Sequence, residues 1–323
     1  MNSQGKASKV QALPFLQAIS RWKPHEHHCI DSRRSVMGGQ SMQIVRTMRD
    51  LRKSLNASRA DGCSVGLVPT MGFLHAGHLS LIRRARQEND VVVVSVFVNP
   101  TQFAPHEDLE AYPRDMQRDT ELMTAEDVDI AFFPAVEEIY PQEFGTFVTV
   151  EGTITQVLCA KSRPTHFRGV TTVVSKLFHL VAPHRAYFGQ KDAQQVAVIQ
   201  QMVKDLAFDL AIVVCPIVRE ADGLAMSSRN ANLSPRHRSD AVVLSRSLKE
   251  ARRMIAGGER DPAVIIRRME RYIRAVPEAE IDYVAVVDAR SLADMETLKG
   301  EVLVAVAVKF GTTRLIDNLC LTV

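Results

Sequence analysis

Two histidines, His75 and His78, stand three residues apart near the end of the run Pro69-Thr70-Met71-Gly72-Phe73-Leu74-His75-Ala76-Gly77-His78. An apolar run over 65–68 precedes them and a helical pattern begins near Leu79, so they lie where a predicted strand passes into a helix. Backbone N–H groups and the helix dipole favour anions at such a junction. Residues three apart share one helix face, and glycines let the backbone approach a ligand closely. The spacing therefore predicts a phosphate site.

Further polar side chains follow the other predicted strands, where an open parallel sheet binds its ligands. We expect them to meet the two histidines, with a lysine on phosphate and a Ser-Ser-Arg run as a mobile anion clamp. Two glutamines are expected to hold a hydroxy acid without adding charge. The residues concerned are Asn99, Gln102, Gly189, Lys191, Asp192, Gln195, Val218, Met226, Ser227, Ser228 and Arg229. Asp108 and Asp119, acidic residues in a helix-rich insert, are expected to be solvated surface residues.

The elements that must position these groups alternate between short apolar runs and helical periods. Strands are predicted over 65–68, 91–98, 129–133, 186–188 and 209–215. A helix is predicted over 168–182, where Val170, Val173, Val174, Leu177, Phe178 and Val181 share one face. The run 91–94 is apolar on both faces, which is typical of a central parallel strand covered by helices. The pattern predicts an α/β fold with a Rossmann-like, doubly wound parallel sheet.

The pattern changes after about residue 232. A helix is predicted over about 235–256 and another from Pro262, with Asp261 as its N-cap. Strands are predicted over 283–287, 302–308 and 314–322. We divide the chain into three parts. Residues 1–41 are expected to be a disordered or weakly ordered extension, or the result of a start codon placed too far upstream. Residues 42–218 are expected to form a Rossmann-like domain that binds nucleotide and pantoate, and residues 219–323 a smaller α+β lid domain.

Composition narrows the class of protein. The chain has 323 residues, 46% of them hydrophobic and 24% charged, which is ordinary for a soluble globular protein. A net charge of +3 makes no strong case for nucleic-acid or membrane partners. Five cysteines without a CxxC pair disfavour a disulfide framework or zinc ribbon and favour a reducing, cytoplasmic location. We expect no secretory leader, since residues 1–12 lack an apolar segment, and the cluster at 25–29 (His-Glu-His-His-Cys) matches no closed metal site.

Ordered motifs along the chain resemble a known family. Besides the HxGH run, they are Val98-Asn99-Pro100-Thr101-Gln102-Phe103, Tyr112-Pro113-Arg114, Arg163-Pro164-Thr165-His166-Phe167, the run 219–230 ending in Met-Ser-Ser-Arg-Asn, and Gly311-Thr312-Thr313-Arg314-Leu315-Ile316-Asp317-Asn318. The HxGH and Met-Ser-Ser-Arg motifs resemble the HIGH-type nucleotidyltransferase superfamily. Together the motifs resemble the pantothenate synthetase (pantoate–β-alanine ligase) family from about Met42 to the C-terminus.

The resemblance implies a two-step reaction in a cytoplasmic homodimer. Pantoate would attack the α-phosphate of ATP, with Mg²⁺ on the phosphates, and β-alanine would attack the resulting pantoyl adenylate to give pantothenate and AMP. No side-chain nucleophile is needed, in keeping with the lack of a GxSxG motif.

Site roles follow from the resemblance by position. Met71, Gly72, His75, Gly77 and His78 would line the ATP site, with His78 as the proton donor. Gly189, Lys191 and Asp192 would contact ribose and phosphates, Val218 the adenine, and Met226, Ser227, Ser228 and Arg229 would close over the phosphates. Gln102, Gln195 and Asn99 would hold pantoate, with Gln102 also bordering the β-alanine site, and Asp119 would be a metal ligand. His75, His78, Lys191, Ser227, Ser228 and Arg229 form the implied catalytic set.

Two positions depart from the family pattern, and three other functions compete with the one it implies. Gln190 and Ala193 replace the Glu and the Tyr or Phe that the family commonly has around Lys191, which bears on local packing or affinity. Another nucleotidyltransferase is disfavoured by the acid-binding loops at Asn99–Phe103 and Gln195. A non-catalytic nucleotide-binding module would tolerate the loss of His78, Lys191 or Arg229, yet all three are present. A dehydrogenase is disfavoured because no GxGxxG follows a strand.

Overall fold

The computed structural model describes residues 41–104 and 107–323. The extension predicted over 1–41, apart from its last residue, and the His/Cys cluster at 25–29 lie outside the described residues. Contacts divide the chain into two compact units, one ending at Leu233 and the other covering Ser234–Val323. The segment 219–233 belongs to the first unit by its contacts, and the predicted lid domain over 219–323 stays a prediction.

The first unit is built on a six-stranded sheet. Its strands are β1 (Gln43–Val45), β2 (Val65–Thr70), β3 (Val91–Val96), β4 (Ile130–Phe132), β5 (Arg185–Gly189) and β6 (Ala211–Cys215). All pairs are parallel and the order is β1-β4-β3-β2-β5-β6. From β2 the chain proceeds outward in one direction through β3 and β4 and in the other through β5 and β6. Such a sheet leaves a crevice at the carboxyl ends of β2, β3 and β5. The predicted fold class is confirmed.

The core lies on both faces of this sheet. Leu67 and Val93 face one layer, where they pack with Phe178, whereas Val92 and Val94 pack with Ile82 on the other face. Val91 through Val94 are all nearly inaccessible to solvent, as a central strand covered by helices on both faces requires. Alternating apolar contacts thus lock β3 in register, and with it the loop that follows.

Helices of the first unit connect these strands. The predicted helix over 168–182 is observed as His166–Val181 and ends at Ala182 in the left-handed region. Strand β1 was not predicted, because three residues are too few to show a periodic pattern. The helices are Met48–Ala60, Ala76–Glu88, Met116–Ala125, Val136–Ile139, Cys159–Ser162, His166–Val181 and Ala193–Asp205, with single 3₁₀ turns at Pro100–Gln102, Thr153–Thr155, Gln190–Asp192 and Ser228–Asn232.

The second unit is a three-stranded antiparallel sheet with helices. Its strands are β7 (Ala279–Asp288), β8 (Glu301–Phe310) and β9 (Thr313–Thr322), with β8 in the centre. The helix predicted over 235–256 is observed as two, Pro235–Asp240 and Val243–Ala256. The residues between them keep helical dihedral angles but include a tighter hydrogen bond from Leu244 N–H to the Ala241 carbonyl. The next helix is Pro262–Ile273, and its predicted N-cap at Asp261 is confirmed.

No helix in the described part of the chain is both long and apolar enough to cross a membrane. Cys215 is a buried thiol outside any disulfide.

Candidate active site

The turn after β2 leaves the sheet in an unusual conformation. Gly72 and Phe73 both have positive φ, +84° and +49°. At Gly72 an added Cβ would lie 2.9 Å from Val96 Cγ1 and 3.0 Å from Asp119 Oδ2, so only glycine fits. The chain then extends at His75, the N-cap of the helix Ala76–Glu88. This places both histidines at the beginning of a 13-residue helix, as predicted.

The two imidazoles cap this helix with their Nδ1 atoms. Nδ1 of His75 accepts from the Gly77 N–H at 3.1 Å, and Nδ1 of His78 accepts from the His75 N–H at 3.4 Å. A ring nitrogen that accepts carries no proton, so each neutral ring carries its hydrogen on Nε2. The ring centroids are 4.1 Å apart. The pair therefore offers two uncharged Nε2–H donors at a helix N-terminus.

Burial and neighbouring cations keep both histidines neutral. Burial lowers the pKa of His75 to about 4, and the charge of Lys191 acts in the same direction. Burial lowers the pKa of His78 well below its ordinary value, with His75 and Lys191 adding to the effect. At neutral pH both rings are therefore uncharged, and the positive charge of Lys191, at the end of β5, acts on both of them.

Asp119 is a buried anchor of the turn, and the expectation that it is solvated is wrong. Its residue is 1% exposed, and its two oxygens accept from the N–H groups of Phe73 (2.8 Å) and Leu74 (2.7 Å). Arg118 reinforces the same turn from Nη1 to the Leu74 carbonyl at 2.8 Å. The backbone groups that leave the β2 ladder are thus satisfied by one carboxylate from a later helix, which the local sequence does not reveal.

The loop after β3 presents Gln102. The Gln102 Nε2 donates to the Met71 sulfur at 2.8 Å, which joins this loop to the histidine turn. Asn99 Nδ2 donates to Gln102 Oε1 (3.1 Å) and to the Gly169 carbonyl (3.1 Å), while its Oδ1 accepts from Thr101 and Tyr140. Asn99 is 1% exposed and its amide is fully used. A substrate contact for Asn99 stays a prediction. The observed hydrogen bonds instead indicate that Asn99 orients the side chain of Gln102.

His166, a buried histidine of the motif at 163–167 for which no role was predicted, also supports Gln102. His166 Nδ1 donates to the Gln102 carbonyl at 2.9 Å, and Arg163 Nη2 donates to the same carbonyl at 3.2 Å. Arg163 is held by Glu107, with Nε to Oε1 at 2.6 Å. Burial lowers the pKa of His166 to about 3, and the charge of Arg163 contributes. The main chain at Gln102 is therefore held by two side chains, His166 and Arg163.

Strand β5 leads directly into Gly189, Lys191 and Asp192. Lys191 Nζ lies 3.8 Å from Asp192 Oδ1, and the Asp192 side chain is 46% exposed. No atom of the described residues lies within 4 Å of a Cβ added at Gly189, so this strand end is open to a ligand. Gln195 is half-buried in the first turn of the following helix, and its side chain makes no hydrogen bond to any residue in 41–104 or 107–323.

The Met-Ser-Ser-Arg segment lies against the histidine turn. Ser228 donates its hydroxyl to the Phe73 carbonyl at 3.2 Å, and Met226 Cβ would be 3.9 Å from a Cβ at Gly77. Met226 N–H donates to the Val218 carbonyl at 3.0 Å, and Ser227 Oγ accepts from the Arg229 N–H at 3.3 Å. All of the predicted nucleotide-binding segments thus converge on the carboxyl ends of β2 and β5.

Arg229, the last residue of the Met-Ser-Ser-Arg segment, forms an ion pair with Asp108 that was not expected. Asp108 is half-buried rather than fully solvated, and it pairs with both Nε and Nη2 of Arg229, at 2.7 and 2.9 Å. Nothing in the spacing of residues 108 and 229 indicates the pair, because the contact is made across 121 positions of sequence.

These features define a class of protein: a doubly wound nucleotide-binding enzyme whose HxGH turn and Ser-Ser-Arg segment meet at the sheet edge, as in the HIGH-type nucleotidyltransferases. The family model described as Pantoate-beta-alanine ligase matches residues 43–320. The chain belongs to the pantoate–β-alanine ligase family, and the predicted family and ligase activity are confirmed.

Relatives and solved structures agree with this assignment. The chain is similar to the pantothenate synthetase of Acetivibrio thermocellus, with 57% identity over 282 residues, covering 87% of this chain and 100% of the relative. It is similar in structure to the pantothenate synthetase of Thermus thermophilus, with a TM-score of 0.83, 48% identity and coverage of 86% and 99%. The pantoate-beta-alanine ligase of Francisella tularensis, solved with "Beta-gamma ATP and Beta-alanine", matches with a TM-score of 0.71, 35% identity and coverage of 86% and 97%.

The Asp119 anchor predicts a specific loss of stability. Replacing Asp119 with Asn puts an NH₂ group against one of the two N–H donors and leaves the other a neutral acceptor in place of a charged one. We expect the free energy of unfolding to fall by about 3 kcal/mol, the scale of hydrogen bonds to a charged group, as measured by urea denaturation. The control is Glu121→Gln, an exposed position on the same helix. Equal stability of the two variants would show that Asp119 does not anchor the turn.

The buried neutral state of His166 predicts a pH dependence of stability. The histidine of the unfolded chain takes up a proton near pH 6.5, whereas native His166 does so only near pH 3. Between these values unfolding binds an extra proton, so stability is complete above pH 6.5 and falls as the pH falls. The contribution is about 1.4 kcal/mol per pH unit.

We expect His166→Gln to make the slope of unfolding free energy between pH 6 and pH 4 shallower by about this amount, as measured by guanidinium denaturation. The exposed histidine of the same helix, His179, supplies the control: His179→Gln should keep the wild-type slope. An unchanged slope in His166→Gln would mean that native His166 is protonated in this range.

Proposed function

We propose that this site joins pantoate to β-alanine by first adenylating the pantoate carboxylate with ATP. The observation that carries the proposal is the convergence of two kinds of surface at one sheet edge. Neutral histidines, Lys191 and the Ser227–Arg229 segment form a donor-rich, cationic side suited to a triphosphate. Gln102 lies beside it on Met71 and offers an uncharged amide to the acid. A family member solved with a nucleotide and β-alanine supports the same use of the fold.

The reaction needs no side-chain nucleophile. A carboxylate oxygen of pantoate attacks the α-phosphorus of ATP, the bond to the bridging oxygen breaks, and pyrophosphate leaves. The amine of β-alanine then attacks the acyl carbon, AMP leaves with the former carboxylate oxygen, and the amine loses a proton to give the amide. Catalysis rests on alignment and on stabilising negative charge as it moves to the leaving groups.

The histidines act in this scheme as hydrogen-bond donors. A neutral imidazole with its proton on Nε2 donates to a phosphate oxygen without first losing a proton. The negative charge of ATP favours the charged form of each ring, which opposes the effect of burial. His78 and His75 therefore strengthen their hydrogen bonds to phosphate as charge develops there. The proton transfer from His78 that the family resemblance implies would first require the ring to become protonated, with its Nδ1 released from the His75 N–H.

Pantoate is placed by amides and a fixed loop. Gln102 and Gln195 present neutral donors and acceptors, so the carboxylate stays nucleophilic rather than being neutralised by a cation. Asn99, His166 and Arg163 hold the Gln102 side chain and carbonyl. A loop fixed in this way limits the loss of conformational entropy when the substrate binds.

Mg²⁺ would be carried by the nucleotide. Among residues 41–104 and 107–323, no group of three or more His, Cys, Asp or Glu side chains is placed to hold a metal ion. Both oxygens of Asp119 already accept backbone hydrogen bonds, so its role as a ligand stays a prediction without support from these contacts. Triphosphate oxygens are ordinary ligands of Mg²⁺.

The homodimer, the cytoplasmic location, adenine contact at Val218, and ribose contacts at Gly189 and Asp192 are part of the same proposal. They derive from the family resemblance. Light scattering of the purified protein tests the dimer.

The proposed reaction order predicts a dependence on substrates. ATP with pantoate should release pyrophosphate and build up a bound acyl adenylate, and AMP should appear once β-alanine is added. Nucleotide chromatography and a coupled pyrophosphate assay measure both steps. Pyrophosphate release that is independent of pantoate would overturn the assignment.

The role of His78 predicts a large loss of rate. We expect His78→Ala to slow pantoate-dependent pyrophosphate release by roughly 10²-fold or more, the scale for one preorganised donor. His179→Ala, a change at an exposed histidine away from this turn, is the control and should retain the wild-type rate. Near-normal turnover of His78→Ala would remove His78 from the mechanism.

A further inference from the structure

Two adjacent carboxylates follow the acid-binding loop and pair with arginines from different parts of the chain. Glu107 binds Arg163 through two hydrogen bonds of 2.6 Å, and Arg163 in turn holds the Gln102 carbonyl. Asp108 binds Arg229 of the Met-Ser-Ser-Arg segment. One peptide unit thus connects the proposed acid-binding loop with the proposed phosphate clamp.

The geometry of the Asp108 pair fixes one edge of the guanidinium. Nε and Nη2 of Arg229 donate to Oδ2 and Oδ1 of Asp108, the two-point arrangement that defines the plane of the group. The guanidinium carbon lies 5.5 Å from the centroid of the Tyr112 ring. A guanidinium has five N–H donors, and Nη1 makes no hydrogen bond to any residue that the structure describes. That end of the group remains available to an anion.

The pair is firmly ionised and partly shielded from water. The Arg229 and Asp108 side chains are 24% and 29% exposed. Although burial alone would raise it, the bonds and charge of Arg229 hold the pKa of Asp108 below its ordinary value. Backbone contacts restrain the same segment, since Ser228 is anchored on the Phe73 carbonyl. A long side chain that would otherwise sample many rotamers is therefore held in one orientation.

We propose that Asp108 is a positioning residue that holds Arg229 with its Nη1 end toward the phosphates of ATP. The inference rests on the proposed function, in which Arg229 contacts phosphate. Asp108 does not touch the reacting atoms in this scheme. Its carboxylate accepts hydrogen bonds from Nε and Nη2 of Arg229 before the nucleotide binds, so the guanidinium is oriented in advance. The neighbouring residue Glu107 binds Arg163, which in turn holds the Gln102 carbonyl, and so links Asp108 to the acid-binding loop.

A double-mutant cycle on pantoate-dependent pyrophosphate release tests the proposal. Asp108→Asn removes the charged two-point acceptor at almost the same volume. We expect it to lower kcat on the order of 10-fold and to change KM for pantoate by less than about 3-fold, because Gln102 keeps its other supports. Asp108→Glu, which retains a carboxylate, should recover part of kcat. In an Arg229→Ala background, Asp108→Asn should have no further effect.

The controls separate this inference from the proposed function. Glu110→Gln, an exposed change on the same segment, should behave as wild type, and the melting temperature of every variant is measured. Wild-type enzyme without pantoate-dependent pyrophosphate release, or a fully active Arg229→Ala variant, would contradict the proposed function itself. If both of those behave as expected, additive losses from Asp108→Asn and Arg229→Ala, or an unchanged kcat in Asp108→Asn, would overturn the positioning role alone.

Discussion

The carboxylate of Asp119 is the interaction on which the rest of the site depends. At the end of β2 the chain leaves the sheet, and the N–H groups of Phe73 and Leu74 lose their ladder partners. Buried backbone donors must be paired, and Asp119 pairs both at once. That bond holds the positive-φ turn at Gly72 and Phe73 and directs the chain into the helix that His75 caps. The Phe73 carbonyl of the same turn anchors Ser228, so the phosphate-facing segments share one support.

Charge in this site is largely compensated before any substrate binds. Arg229 lies on Asp108, Arg163 lies on Glu107, and Lys191 has Asp192 nearby, while both turn histidines are neutral. Unpaired cations in a half-buried crevice would be costly, and a strong uncompensated field would also attract and neutralise the carboxylate that must act as nucleophile. Compensation solves both problems, because each cation is held in place by a partner that leaves some of its donors available.

Much of this could be predicted from sequence, and the failures share one cause. The strand at 91–94 was predictable because alternation and burial on both faces are local properties of four consecutive residues. The histidine turn was predictable because glycine, helix-start and strand-end signals occur within ten residues. Asp119 was wrongly expected to be solvated, and Asp108 is only partly so. An acidic residue is usually exposed, and the partners of these two lie about 45 and 121 positions away. Asn99 was predicted to bind substrate. Its amide instead makes hydrogen bonds to neighbouring protein groups, which favours a role in supporting Gln102.

By itself, therefore, the sequence determined the fold class, the family and the identities of the groups that carry the chemistry, because periodicity and motif spacing act within short stretches of chain. Only the tertiary structure decided which of those groups face a ligand and which hold the others. Whether a carboxylate such as Asp119 is a metal ligand, a surface charge or a backbone anchor depends on what lies within about 3 Å of its oxygens. That neighbourhood is created by parallel strands that bring the turns at 71–78, 99–103, 189–195 and 226–229 to one edge of the sheet, and no local pattern encodes it.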